Sequence, residues 1–388
     1  MVKFQEIDTL EDKLELMTKL SKKFFSKAEK VDIEGGFPFE NIKDLIDTGY
    51  TSLTVPKRFG GQEIPLSSLV RLQERIAEGD GSTSLSIGWH MGIIKNLGEK
   101  QTWKESVFEQ LCEEVKRGCL INSAATEPKT GSPTRGGRPE TTAVKKGDYW
   151  ILNGHKSFTT MSPVLDYFIV SASLEETNQV GNFLIPRSAD GIKIVETWDS
   201  IALRGTGSHD LHLQSLKVPD EYFVELINNE NRTANGWLLH IPACYLGIAK
   251  AAKKYAIQFA LEYSPNSIEG SIINLPAVKQ KIGEIELKLL QSETFLYSVS
   301  HQWDVSDQNS RAKMGPILGA VKLNVTNTAI SVVDLAMRVV GARSLSAKNP
   351  LQRFYRDVRA GLHNPPMDDM TIMNLASRAI ASIQTNEK

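Results

Sequence analysis

"YWILNGHKSFTT", residues 149–160, is the stretch on which the reading of this chain turns. Aromatic and β-branched residues alternate with polar ones around an Asn-Gly pair, the pattern of half-buried strands joined by a tight turn. The segment therefore reads as a hairpin turn at Asn153-Gly154 leading into a strand that carries Phe158 and Thr160 on one face. Alternation alone makes Phe158 a core residue. An aromatic beside a hydroxyl also suits a flat conjugated ring, stacking on it while donating a hydrogen bond to a ring nitrogen.

The same short period extends on both sides. Between Cys119 and about Phe223 run "CLINSAATE", "DYFIVSASL", "VGNFLIP", "IKIVETW" and "DLHLQSLKVP", separated by Gly, Pro, Asn and Asp, which predicts an antiparallel sheet or barrel. Upstream, from about residue 8 to 118, apolar residues recur at helical spacing, as in Leu10, Leu14, Met17, Leu20 and Phe24, with breaks at "EGGFPF" and "VPKRFGGQEIP". Helical periodicity returns after residue 230. Val278, Ile282, Ile285, Leu289 and Leu296 or Val299 line one face of a long helix that starts after Pro276. Three such helices and a terminal one predict a bundle. The expected fold is thus α+β and mostly α: an N-terminal helical domain over residues 1–118, a central antiparallel β-barrel or sheet domain over 119–225, and a C-terminal four-helix bundle over 226–388. No GxGxxG follows a predicted strand, which counts against a Rossmann dinucleotide site.

Composition narrows the partners. At 388 residues the chain holds more than one packed unit, and 45 Lys plus Arg against 46 Asp plus Glu leave a net charge of -1. Nothing in that balance attracts nucleic acid or an anionic membrane, so a small-molecule partner is expected. Cys112, Cys119 and Cys244 form no CxxC pair, which argues against a disulfide framework and a zinc knuckle and suits a reducing cytosol. The N-terminal "MVKFQEIDTLEDKLELM" mixes acids and lysines with its apolar residues, and no run elsewhere approaches the roughly 20 apolar residues of a membrane span. A cytoplasmic protein with no membrane partner is expected.

A second stretch, "AATEPKTGSP" at residues 124–133, ends the first β run with small and hydroxyl residues. By itself it is a strand end and a loop, although its backbone amides, Thr126 and Ser132 can supply hydrogen bonds to a flat polar ligand. Six segments in order then form a larger pattern: "LIDTGYTSLTVPKRFGG", "TEPKTGS", "YWILNGHKSFTT", "LQSLKVPDEYF", "LGIAKAA" and "VVGARSLSAKNPLQRFYRDVRA". With them the chain resembles the acyl-CoA dehydrogenase superfamily of flavoproteins over nearly its whole length. The resemblance implies the same helical, β and helical-bundle order. It also implies that Ser123, Thr126 and Ser132 border a flavin together with Phe158, Thr159 and Thr160. Thr160 would donate to flavin N5, and Phe158 stands where the family usually has a tryptophan. Gly341-Ala342 would approach the flavin nucleotide of a neighbouring subunit, because members are usually dimers or dimers of dimers, so a homo-oligomer, for example a homotetramer, is expected. FAD, with FMN as the alternative, an acyl-CoA thioester substrate and an electron-transfer flavoprotein or flavin reductase are the implied partners.

The chain also departs from that pattern. Pro365 aligns with the glutamate that serves the family as base, and Trp237, with His240 one turn on, occupies the family's alternative location for it. Asp368 and Asp369 lie three and four residues beyond and act as a base only if the Pro-Pro bend redirects them. "EYSPNSIEGSIINLP" contains no arginine where a family arm carries one to the FAD pyrophosphate. Branches such as dibenzothiophene monooxygenase and the two-component hydroxyphenylacetate hydroxylases also lack the glutamate. They resemble this chain in "RDVRAGLH", which makes His363 the catalytic candidate, and more loosely at His90, which otherwise reads as a packed histidine. In that chemistry an imidazole donor stabilises charge that develops when reduced flavin meets oxygen. His363 otherwise reads as a helix-capping or surface residue. A metal site from His363, Asp368 and Asp369 has proline-broken spacing and no fourth ligand, so no metal is expected. The charges of "RTANGW" and "KAAKK" read as solvated faces. Three functions stay open: an acyl-CoA dehydrogenase-like flavin oxidoreductase, a reduced-flavin monooxygenase, and a catalytically silent flavin or acyl-CoA binder.

Overall fold

Helix α1 (Leu10–Glu34) starts where the Thr9 side chain accepts a hydrogen bond from the amide of Asp12, and it stops at Gly35, whose φ of 65° lets the chain leave. Its Met17, Leu20 and Phe24 form the buried stripe that the spacing predicts. The computed structural model describes residues 2–130, 137–177, 179–227 and 234–386. Four more helices complete the first unit: α2 (Phe39–Asp47), α3 (Leu66–Gly79), α4 (Gly81–Lys100) and α5 (Glu105–Lys116). Asp80 caps α4 by accepting from the amides of Ser82 and Thr83.

The strands are β1 (Ile121–Ala124), β2 (Thr142–Lys146), β3 (Tyr149–Thr159), β4 (Tyr167–Leu174), β5 (Val180–Pro186), β6 (Ile192–Val195), β7 (His209–Pro219) and β8 (Phe223–Ile227). They form one sheet in the order β6-β7-β3-β2-β4-β5-β8, with β1 beside β4. Most pairs are antiparallel, as the turn-rich sequence predicts. Two are parallel, β1 with β4 and β2 with β4, because the long connections between them permit a return in the same direction.

The hairpin expected at Asn153-Gly154 is absent. β3 runs straight through these residues, and the chain reverses earlier, at Gly147 with φ 62°, between β2 and β3. Asn-Gly marks a bulge instead: the β3–β7 register shifts between Leu152 and Gly154, and Asn153 Oδ1 accepts from the amide of Ser215 at 2.7 Å. Gly154 is required by close approach, since a Cβ there would stand 2.2 Å from Thr141 Oγ1.

The last unit contains α6 (His240–Glu262), α7 (Pro276–Val305), the short α8 (Gln308–Ala312), α9 (Gly315–Val340), α10 (Pro350–Asp357) and α11 (Asp368–Asn386). Pro276 opens α7, and Val278, Ile285, Leu289, Leu296 and Val299 are its buried face. By length and composition α9 is apolar enough to cross a membrane, which the sequence reading did not anticipate. Here it is the central helix of the bundle, packed on α6, α7 and α11, while α6 packs equally on α3. One continuous core therefore joins all three units, from Leu69 and Ile76 through Leu152 and Val170 to Leu246 and Val325. The "KAAKK" segment is not wholly solvated. Lys250 is drawn inward between Glu74 of α3 at 2.6 Å and Glu293 of α7 at 3.1 Å, so it ties three helices together.

Candidate active site

β3 leaves its ladder at the C-terminal end, where the pairing with β7 shifts between Lys156 and Thr159. Phe158 lies in the irregularity with φ 56°, and Met161 follows with φ 68°. Left-handed backbone costs an L-residue roughly 1–2 kcal/mol, so two such residues persist only because their surroundings hold them. Ser157 N donates to Thr126 O, Thr160 N to Phe158 O and Met161 N to Thr206 O, each at 2.9 Å. This twist overturns the core reading of Phe158. The ring is 63 % exposed and meets Trp198 edge to face, with centroids 6.1 Å apart.

Hydroxyls converge beside that ring. Thr160 Oγ1 is 2.9 Å from Ser208 Oγ, which is 2.9 Å from Thr206 Oγ1. Asn122 Nδ2 donates to Thr160 O at 2.9 Å, while Asn122 Oδ1 accepts from Ser123 N at 2.7 Å. Ser123, Thr126, Phe158, Thr159 and Thr160 thus gather at one end of the sheet; Ser132 lies outside the described residues. Thr159 points the other way, and its buried hydroxyl, like that of Ser157, has no partner among the described residues. An unpaired buried hydroxyl costs about 1–3 kcal/mol.

Two residues that carry this rim were not singled out in the sequence. Lys156, fully buried, reaches the buried Glu127 at 2.6 Å. Glu127 also accepts from the Thr141 hydroxyl at 2.6 Å and from the amides of Glu140 at 2.6 Å and Thr141 at 3.1 Å. Burial works to raise the Glu127 pKa, but Lys156 and these donors outweigh it and hold the carboxyl down to about 2. Burial pulls the Lys156 ammonium down to about 8 against the pull of Glu127. The pair fixes the "TEP" turn to β3 one residue before the twisted segment. The readable signal was an opposite charge on each of two strand-bound segments, since neither type buries unpaired.

The loop that supplies Thr206 and Ser208 is fastened to the helical units. Leu203 N donates to Asp357 Oδ1 at 2.6 Å, Gly205 N to Ser82 Oγ at 3.2 Å, and Arg204 Nε to Asp32 O at 2.6 Å. Arg356 grips both carboxylate oxygens of Asp32 and donates to Ile201 O at 2.7 Å. Burial pushes the Asp357 carboxyl up to about 7, with the Leu203 amide acting against it. The rim therefore sits where sheet, first helices and bundle meet.

Gly341 ends α9 with φ 71°, and open space lies where a Cβ would stand. It borders a groove of about 620 Å³ lined also by Met337, Arg338, Tyr355 and Arg356. Arg356, on the wall of this groove, links it to the loop at Ile201. The segment without an arginine receives one from the same turn, because the Arg343 guanidinium lies 4.3 Å from the ring centroid of Tyr263.

His363 follows the short turn Val358–Leu362 and is exposed on the bundle. Its amide donates to Ala360 O at 3.0 Å, and its ring has no partner among the described residues. The neighbouring Asn364 accepts from the buried Tyr245 hydroxyl. Asp368 is turned onto α9, 3.2 Å from Lys322 Nζ and 2.8 Å from Asn327 Nδ2, so it is engaged in fastening α11.

His90 is buried with both nitrogens occupied: Nε2 donates to Thr51 O at 2.9 Å and Nδ1 accepts from Ile121 N at 3.1 Å. Burial pulls its pKa down to about 4, so it is a neutral clamp between α4 and β1. Trp237 stacks on His240 with planes 9° apart, and Trp89 meets His240 edge-on at 4.9 Å. His240 is fully buried, pulled down to about 3, and neither nitrogen has a partner among the described residues. No carboxylate stands at Trp237 or at Pro365.

Fold and rim together define a helix, sheet and bundle scaffold with an exposed aromatic ring and a file of hydroxyls at the junction. Models of the acyl-CoA dehydrogenase N-terminal, middle and C-terminal domains match residues 14–114, 122–216 and 239–364. YdbM of Bacillus subtilis (strain 168), provisionally named an acyl-CoA dehydrogenase, is 52 % identical over 370 residues, which is 95 % of this chain and 97 % of YdbM. The chain belongs to the acyl-CoA dehydrogenase family. Among solved structures, butyryl-CoA dehydrogenase from Megasphaera elsdenii shares the fold with a TM-score of 0.86 at 20 % identity, covering 96 % of this chain and 98 % of that one. KijD3 in complex with FMN and an amino-keto sugar nucleotide aligns with a TM-score of 0.82 at 23 % identity, over 96 % of this chain and 93 % of its own.

Proposed function

We propose that this protein is a flavin-dependent oxidoreductase that binds its flavin at the rim formed by Ser123, Thr126, Phe158 and Thr160. The observation that carries this is Phe158, an aromatic ring turned out of the core by left-handed backbone beside a file of three hydroxyls. Such strain without a packing reward belongs to a surface that meets a ligand. The residues fit an isoalloxazine: Phe158 offers a stacking face, Thr160 a donor to a ring nitrogen, and Thr126 and Ser123 further polar contacts. Bound flavin would supply a two-electron acceptor for a carbon-hydrogen bond of the substrate.

Every other task falls to the chain. Ser208, held between Thr160 and Thr206, leaves the Thr160 proton available to the flavin when it donates to Thr160 Oγ1, and the Lys156–Glu127 pair ties the ledge to β3. Gly341 and its groove offer an open cradle for the nucleotide of a neighbouring subunit's FAD. Arg343 offers a guanidinium near the segment that has none of its own. FAD is the cofactor we assign, and FMN would need neither contact. A homo-oligomer is supported by the exposed apolar stripe of Ile372, Ile380 and Ile383 on α11.

For the substrate we assign an acyl-CoA thioester, in keeping with family membership, with an electron-transfer flavoprotein taking up the electrons. A specific observation favours a second reading. Both family positions for the base hold Pro365 and Trp237, while His363 stands exposed and free to donate, which suits oxygen chemistry fed by a flavin reductase. Mixing the flavin-loaded protein anaerobically with acyl-CoAs of graded length distinguishes the two. Bleaching of the oxidised flavin band is expected for a dehydrogenase. If no thioester bleaches it, while the reduced form consumes oxygen with a substrate, the second reading replaces the first.

A further inference from the structure

The outer face of the sheet carries a side-chain cluster unrelated to the rim. His155 on β3 and His212 on β7 are directly opposed in the antiparallel register, so their side chains share one face. Their rings lie 4.3 Å apart between centroids and are tilted 57°, which leaves the nitrogens splayed rather than stacked. Asp210, two residues before His212 on the same strand, projects from the same face and places Oδ2 2.8 Å from His155 Nε2. One ligand atom from each of the three lies within 4.8 Å of the others.

We propose that His155, Asp210 and His212 form a binding site for a divalent transition-metal ion of the zinc, nickel or copper type. Three features carry this. Two imidazoles and a carboxylate are the donor set such ions prefer, whereas calcium and magnesium call for oxygen alone. Metal–ligand bonds of about 2.0–2.2 Å place tetrahedral donors roughly 3.4 Å apart, so the present spacing closes by side-chain rotation with no backbone movement. All three residues also stand on paired strands, whose register fixes their separation. Asp210 and His155 are half-buried and His212 is exposed, so a fourth position opens to water. Lys193 of β6 pairs with His212 in the strand register, and its positive charge opposes that of a bound cation.

The neighbouring histidine is not a ligand. His209 Nδ1 accepts from the amides of Thr197 and Trp198 at 3.2 and 3.1 Å, and its side chain leaves the opposite face of the strand. The site lies on β3 one residue before Lys156, after which the β3–β7 pairing becomes irregular. A bound ion would join the two strands across the last regular pairs, so its readout is stability, independent of flavin or turnover.

The test uses the full chain, stripped with a chelator and dialysed. Calorimetric titration with zinc chloride is expected to give one ion per chain at micromolar affinity, with a melting temperature raised by several degrees and no response to magnesium. His155→Ala and His212→Ala should each weaken zinc by more than about 100-fold, beyond the roughly 10–100-fold loss that removal of a mere supporting partner gives. His301→Ala, an exposed histidine elsewhere, should leave binding unchanged. On the unaltered protein, one equivalent of copper should show paramagnetic resonance splittings from two imidazole nitrogens. No zinc binding at millimolar concentration, equal response to magnesium, binding that survives in the double histidine variant, or a copper signal without nitrogen coupling would each overturn the assignment.

Discussion

Phe158 separates folding from binding at the scale of one residue. Replacing it by glycine removes left-handed strain of roughly 1–2 kcal/mol but adds about 0.5–1 kcal/mol of backbone freedom to the unfolded chain. Phe158→Gly should therefore change stability by no more than about 1.5 kcal/mol in urea melts, while flavin affinity falls by about 10-fold with the loss of a stacking face. A variant that binds flavin as well as the parent would remove Phe158 from the site. Lys156→Met behaves oppositely. It strands the Glu127 carboxylate in the interior, and a loss of about 3–5 kcal/mol is expected in the same melts. Phe158 shows where sequence reading fails, since alternation assigns a side chain to a face only while the backbone stays extended. The hydroxyl at Thr160 was legible as a donor, whereas its relay through Ser208 and Thr206 joins residues some 48 positions apart and is a product of folding alone.

Between elements, titration couples the rim to its supports. Asp357 of α10 holds the loop at Leu203 with a carboxyl whose folded pKa is about 7 against an ordinary 3.8. A raised pKa means that the folded state keeps the proton longer. Its contribution is complete below about pH 4 and is lost as the pH rises through 7. Asp357→Asn retains an acceptor for Leu203 N and removes that loss. The urea midpoint of the variant should fall less between pH 5 and 8 than that of the parent, and equal slopes would contradict the assignment. His90 has the opposite sign: its pKa lies near 4 instead of 6.5, so the clamp between α4 and β1 is intact above pH 6.5 and weakens as the pH falls toward 4. Asp357 titrates with the opposite sign in the same window, so the test uses the Asp357→Asn variant, and stability of that variant that stayed level from pH 6.5 to 4 would contradict this. At this scale the helices were readable in the sequence because the apolar faces of α1 and α7 repeat at 3.6 residues. The turn at Asn153-Gly154 was misread because a bulge and a hairpin share the same dipeptide, and only the partner strand decides between them.

For the whole molecule, the order of helical unit, sheet and bundle followed from periodicity, because each change of period marks a change of layer. The sharing of one core by α3 and α6 did not, since packing between distant helices leaves no local signature. That shared core places the Phe158–Thr160 ledge, the proposed flavin site, at a three-way junction. If the apolar stripe on α11 joins subunits, Ile380→Asp should reduce the mass found by light scattering, and an unchanged mass would exclude that face. The central claim is that flavin sits on the ledge beside Phe158 and Thr160. Its most direct measurement is equilibrium titration of the flavin-free chain with FAD and with FMN, followed by quenching of flavin fluorescence. Saturation at one flavin per chain, weakened by about 10-fold in Thr160→Val, which loses one hydrogen bond of about 1–1.5 kcal/mol, is the predicted result. No saturable binding of either flavin, or equal affinity in the variant, would contradict it.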